Sequence, residues 1–218
     1  MAEAISRATV EAIVRKIVTQ RLGHSGGAPE LRVEASARHM HLCREDLDAL
    51  FGNGYELTVF RPLYQVGHYA ANETVTLIGP RSRVISNLRI LGPTRKRSQI
   101  ELAFTDAIML GIPDIPVRLS GDTDGTPGAY LMGPKGVIEL KEGVIRAARH
   151  VHMSPAEAAY YGVKQGDGMK LRVGGAAGMV FDRVVARIDK DSRLNVHLDT
   201  DEANACGLHL AKDIELVK

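Results

Sequence analysis

The chain has 218 residues, 44% of them hydrophobic, and a formal net charge of +2, enough apolar material for one large β domain or two small ones. Its longest basic run is Arg95-Lys96-Arg97, which excludes a nucleic-acid groove, and no apolar stretch approaches a membrane span or a signal-peptide core. A soluble intracellular protein is expected, with Cys43 and Cys206 reduced because they form no Cys-x-x-Cys and no disulfide framework.

Residues 2–22 read as an amphipathic helix. Ile5, Val10, Ile13, Val14, Ile17, Val18 and Leu22 recur at three- and four-residue steps, with Glu3/Arg7 and Glu11/Arg15 paired on the polar side. The linker Gly23 to Pro29 follows. It leaves two readings open: a helix docked on its own domain, or a detachable tag whose apolar face binds a partner.

From Leu31 the pattern turns to β. Residues 31–35 alternate and deliver Ala37-Arg38-His39-Met40-His41-Leu42. A helix over 44–51, a Gly52-Asn53-Gly54 turn and a strand over 56–60 come next. Short strands are expected over 73–78, 83–90, 98–104 and 117–119, divided by Gly, Pro, Asn or Asp. Within the third of these, Glu101 is an isolated acid among apolar residues, a costly placement that metal ligation or an Arg partner would explain. Arg95-Lys96-Arg97, just upstream, reads either as a solvated turn or as a phosphate site, since the guanidinium fork makes two parallel hydrogen bonds.

The segment Ala148-Arg149-His150-Val151-His152-Met153 is a near copy of 37–42. The parts after it also repeat. Ser154 and Pro155 begin a helix through Tyr161, then come a turn over 162–167 and a strand over 169–173. Strands over 184–188 and 194–198, a helix over 201–205 and a final strand over 211–217 complete the chain, with His197 inside an apolar strand. In a strand, residues i and i+2 share a face, so each His-x-His aims two imidazoles together, as satisfied polar residues at a strand end or as a metal-binding pair. Duplication favours the metal. His24, His68 and His209 fall in linker or loop settings and are set aside.

A second repeat, Thr76 to Arg81 against Tyr130 to Lys135, is an apolar strand closed by a Gly-Pro-basic turn. The first His pair precedes this hairpin and the second follows it. The halves therefore form a permuted duplication in which distant strands share a barrel. The expected organisation is mainly β, with two small barrels and short capping helices: an N-terminal helix and linker (1–29), one barrel from 30–37 and 141–218, and another from 38–140.

Several motifs occur in an order that resembles the PduL-type phosphotransacylases. They are the two His pairs, Leu91 to Glu101, Gly133-Pro134-Lys135-Gly136 with Glu139 to Val144, and Asn195 to Asn204; together they cover residues 31–218. The resemblance implies a phosphate acyltransferase that interconverts a short-chain acyl-CoA plus phosphate with acyl phosphate plus CoA. It further implies two zinc ions. His39, His41 and Glu101 would hold one, with the CoA sulfur as fourth ligand, and His150, His152, His197 and water the other. Arg95 is implied as the catalytic, phosphate-binding residue with Gln99 and Ser120. Ser36, Arg61, Arg89, Leu91, His197 and Asn204 are implied for CoA, Arg61 standing where the family often has Lys, and residues 121–125 vary as a loop. Members housed in bacterial microcompartments carry an N-terminal amphipathic extension, so the resemblance also implies a lumenal location with residues 2–22 binding shell or core proteins, and a homodimer. Two other readings stay open on the residues alone: a dinuclear metallohydrolase of thioesters or phosphoesters, and a zinc-held binding module.

Overall fold

The structure, a computed structural model, describes residues 7–21 and 28–218. Glu3, Ile5, Leu22, His24 and most of the linker lie outside the described residues, as do the side chains of Ile17 and Val18. Residues 1–30 and 31–218 form separate compact units. In the first, helix α1 (Arg7–Arg21) carries an ion pair from Arg7 to Glu11 at 2.8 Å and exposes Val10, Ile13 and Val14.

The second unit is mainly β, in two barrel-like sheets. Its first run is β1 (Arg32–Ser36), β2 (His39–His41), α2 (Arg44–Phe51), β3 (Val59–Pro62), β4 (Tyr69–Ile78), β5 (Val84–Gly92), β6 (Gln99–Glu101) and α3 (Phe104–Leu110). The connecting strands β7 (Val117–Arg118), β8 (Ala129–Met132), β9 (Val137–Leu140) and β10 (Val144–Ala147) lead to the second run. That run is β11 (His150–Met153), α4 (Pro155–Tyr161), β12 (Gly168–Val173), β13 (Met179–Ile188), β14 (Asn195–Asp199), α5 (Thr200–Ala205) and β15 (Ile214–Val217).

The two runs share one plan. Each His-x-His strand lies antiparallel to a short strand carrying a further polar group, β6 for β2 and β14 for β11, and parallel to a long strand, β5 or β13. Helices α3 and α5 follow the short strands in both. What is exchanged is the strand that precedes each His pair. β1 pairs parallel with β14 in the six-stranded sheet, while β10 pairs parallel with β6 in the nine-stranded sheet. The chain thus changes sheets at Ala37-Arg38 and again at Ala148-Arg149, and this exchange underlies the permuted order seen in the sequence. The second change comes after Ala147, so strand 144–147 lies in the nine-stranded sheet rather than with the C-terminal half from 141.

The cores form where alternation says they should. Met40 and Val151, the middle residues of the His pairs, are fully buried in separate clusters with Leu47, Leu50, Ile90 and Ile100 on one side and Met169, Leu171, Val184 and Val196 on the other. Capping agrees with the sequence for α4, where Ser154 accepts from Glu157 N and the Glu157 carboxylate accepts from Ser154 N. Among the expected bounds that change, two have a local cause. The strand expected over 98–104 ends at Glu101, and helix α3 follows because Ala103, Ala107 and Leu110 bury one helical face. The strand expected from 56 begins at Val59, since Thr58 is drawn instead onto Glu73, which accepts from its N–H at 3.0 Å and its hydroxyl at 2.7 Å.

A buried ion network ties the two sheets. Arg146 on β10 pairs with Asp199 at the end of β14 and, at 2.6 Å, with Glu202 on α5, which also takes Arg149 at 2.8 Å. In the other half Arg38 and Asp106 occupy the places of Arg149 and Glu202 and pair at 2.6 Å. Removing one partner of such a network leaves an uncompensated buried charge. Arg146→Leu is therefore expected to destabilise the protein by about 3–5 kcal/mol in urea unfolding, whereas Arg7→Leu, on an exposed pair, should leave the transition nearly unmoved.

Candidate active site

The two His pairs meet where the chain changes sheets. On β2 the pleat sends His39 and His41 to one face, and the strand register puts Glu101 directly opposite His39. On β11 the same geometry places His197 opposite His150. Two donor clusters result, His39/His41/Glu101 and His150/His152/His197, and the ligand atoms in each lie within 4.8 Å of one another. The rings of His150 and His197 stack with centroids 5.0 Å apart.

Backbone carbonyls orient the rings. Nδ1 of His39 meets Ala37 O at 2.8 Å, Nδ1 of His150 meets Ala148 O at 2.8 Å, and Nδ1 of His41 meets Leu91 O at 3.1 Å. A carbonyl only accepts, so Nδ1 carries the proton and Nε2 keeps its lone pair for a metal. Protonation is set by the surroundings. Burial, reinforced by His39 and Arg95, pushes His41 down to about 2. Burial with His150 and His197 does the same to His152, also to about 2, and burial with His150 lowers His197 to about 3. Burial lowers His150 as well. For Glu101 burial opposes ionisation, but His39, His41 and the Ser120 hydrogen bond outweigh it and hold the carboxyl at about 2. Neutral imidazoles and an ionised carboxylate are the donor set a divalent cation requires. Among the described residues each cluster offers three donors, so a bound cation would keep a coordination position open, as catalytic sites do.

Both clusters face a cleft of about 1500 Å³. Ser36, Arg61, Arg89, Leu91, Arg95 and Ser120 line it with all six ligands. Gln99 is buried behind Glu101, and Asn204 is exposed on α5; neither is among the lining residues. Arg95 donates from Nη1 to Ser120 Oγ at 2.9 Å. Aromatic rings steady the cleft's cations, with Arg89 over Phe60 at 5.0 Å and Arg32 over Tyr64 at 4.4 Å.

The sequence reading passed over three lining residues. His68, set aside as a loop histidine, faces the cleft from the β3–β4 connection, whose Gln65 bonds Arg193 O at 3.2 Å. Arg187 enters because β13 aligns it with His152, and Glu34 because β1 aligns it with His197. Only long-range pairing reveals either. Cys206 is buried at the end of α5, as expected of a small apolar filler.

Comparison with known proteins places the chain in a family. Residues 32–209 match the family model described as phosphate propanoyltransferase. The chain is 53% identical to a phosphate propanoyltransferase of Planctopirus limnophila, over 98% of this chain and 92% of the relative. It is 49% identical to one from Thermotoga maritima, over 87% and 90%, and 46% identical to one from Listeria monocytogenes, over 91% and 90%.

The buried donors link stability to pH. The unfolded chain binds protons at histidine near the ordinary value of 6.5, while folded His41, His152 and His197 resist protonation until about 2 to 3. Unfolding therefore takes up protons below that value. Stability of the metal-free protein is expected to be complete above about pH 6.5 and to fall steadily as pH drops toward 3. Thermal unfolding midpoints of chelator-treated protein at a series of pH values check this, and the His152→Gln variant should show a shallower slope.

Proposed function

The chain belongs to the phosphate propanoyltransferase family and is a phosphate acyltransferase, and from that premise we propose that its two donor clusters hold two zinc ions and work on CoA and phosphate in the one cleft. The observation that carries the reading is the convergence of six imidazole and carboxylate donors with Arg95 on a single cleft. His39, His41 and Glu101 would hold one zinc, and His150, His152 and His197 would hold the other. When bound, the metal supplies Lewis-acid stabilisation of the thiolate and of charge developing on the acyl oxygen.

The remaining work belongs to the chain's own residues. Arg95, anchored by its N–H to Leu42 O at 2.8 Å, presents its guanidinium to phosphate and aims a phosphate oxygen at the acyl carbon. Ser120 and Gln99 support it from behind. Arg61 and Arg89 neutralise the phosphates of CoA at the mouth, while Ser36, Leu91, His197 and Asn204 fix the rest of the carrier. Thioester and acyl phosphate have similar transfer potential, so the exchange needs no nucleotide, and the sequence has no phosphate-binding P-loop. The N-terminal segment 2–22, which includes α1, directs the enzyme to the lumen of a bacterial microcompartment by binding shell or core proteins, a role suited to the exposed Val10, Ile13 and Val14.

The decisive assay follows CoA-dependent thioester formation from acetyl or propionyl phosphate. Activity should vanish on chelation and return with zinc. Arg95→Ala is expected to lower kcat/KM for acyl phosphate by about 10²-fold or more; an unaffected rate would remove the assigned role. Release of free acid with no thioester formed would identify a hydrolase instead. For targeting, a fluorescent protein fused to residues 1–25 should gather in assembled shells, and a diffuse signal would refute the lumenal location.

A further inference from the structure

In the first cluster the carboxylate of Glu101 is gripped from behind. Gln99, two residues earlier on β6, donates from Nε2 to Glu101 Oε1 at 2.6 Å and to Ser120 Oγ at 2.8 Å. Ser120 Oγ donates to the same Oε1 at 2.8 Å. The Gly121 N–H donates to Gln99 Oε1 at 2.6 Å, which settles which amide atom is nitrogen. The proton inventory then closes. Both amide hydrogens go to Glu101 and Ser120, the single hydroxyl hydrogen goes to Glu101, and Ser120's oxygen also accepts from Arg95. Gln99 is 1% exposed, so it has no donor left for a molecule in the cleft. The other carboxylate oxygen, Glu101 Oε2, is turned to His39 Nε2 at 3.5 Å.

The second half repeats the placement. Asn195 precedes His197 on β14 as Gln99 precedes Glu101 on β6, and it is fully buried. Its Nδ2 lies 3.0 Å from His197 Nε2 and donates to Glu34 Oε2 at 2.8 Å. A buried amide two residues ahead of the third ligand is thus part of the duplicated design.

We propose that Gln99 is a positioning residue of the first metal cluster, which occupies Glu101 Oε1 and so leaves Oε2 as the single oxygen offered beside His39 and His41. Tying up one oxygen keeps the carboxylate from chelating through both, and this preserves an open coordination position for substrate. Gln99 acts through Glu101 and does not touch phosphate. The inference rests on reading His39, His41 and Glu101 as a metal site.

The test titrates metal-free full-length protein with Zn²⁺ against a chromophoric chelator, for wild type, Gln99→Met and Ser120→Ala. Gln99→Met keeps the volume and removes the donor. One of the two zinc affinities should fall about 10–100-fold in Gln99→Met while the other holds, with a smaller loss in Ser120→Ala. At saturating zinc the KM for phosphate should rise less in Gln99→Met than in Ser120→Ala, which loses the direct bond to Arg95. Unchanged zinc affinities would overturn the proposal, and a raised phosphate KM with intact zinc binding would make Gln99 a phosphate contact instead. Should Gln99→Met not fold, Ser120→Ala carries the test, since it removes one of the two bonds to Oε1 and unchanged affinity there is equally adverse. Wild type that binds two zinc ions but forms no acyl phosphate would remove the acyltransfer reading and leave this assignment standing.

Discussion

The structure depends on one exchange. The strand before each His-x-His pairs not with its own half but with the short strand that carries the third donor of the other half: β1 against β14, and β10 against β6. Because the chain changes sheets just before His39 and just before His150, each donor cluster forms at the seam between the barrels. Neither cluster belongs to a unit that closes by itself. The buried pairs of Arg146 with Asp199 and Glu202 lie at the same seam and hold it by charge, where apolar packing from separate cores cannot reach.

That location sets the chemistry of the donors. At a seam between two apolar cores, the imidazoles of His41 and His197 lose hydration and give up their protons, while Glu101 stays ionised beside His39 and the Ser120 hydroxyl that donates to it. The same burial that costs the metal-free fold stability in acid keeps the lone pairs ready for a cation. Carbonyls at Ala37 and Ala148, each two residues before a histidine, choose the tautomer identically in both halves. The duplication thus reaches below the ligands to the groups that orient them, including the buried amides of Gln99 and Asn195.

Function enters through asymmetry. The place held by Leu91 beside His41 on β5 is held by Arg187 beside His152 on β13, and the place of Glu101 is taken by His197. One cluster is anionic and backed by Arg95 through Ser120; the other is neutral and faces Arg187 across the register. Two sites grown from one plan therefore present different charge to the cleft, which suits an exchange between two unlike anionic substrates.

Much of this was legible from the chain alone. The duplicated His-x-His stood out because strand periodicity forces i and i+2 to one face, and an acid at 101 among apolar residues announced a partner because unpaired charge is costly there. Helix α4 was readable because its cap is local, Ser154 answering Glu157 within one turn. Helix α3 was missed because its inward face, Ala103, Ala107 and Leu110, declares itself only against the core it packs on. His68, Arg187 and Glu34 were invisible for the same reason: what brings them to the cleft is pairing between strands that are not neighbours in sequence, or a loop folded onto the other barrel. By itself the sequence determined which residues donate and that they come in two equivalent sets, since those follow from side-chain chemistry and a two-residue period. The resemblance already grouped the donors in threes; only the tertiary structure decided how each third donor lies opposite its pair and which cations face them, because strand exchange is a contact between distant segments whose hydrogen-bonding backbone carries no side-chain signature.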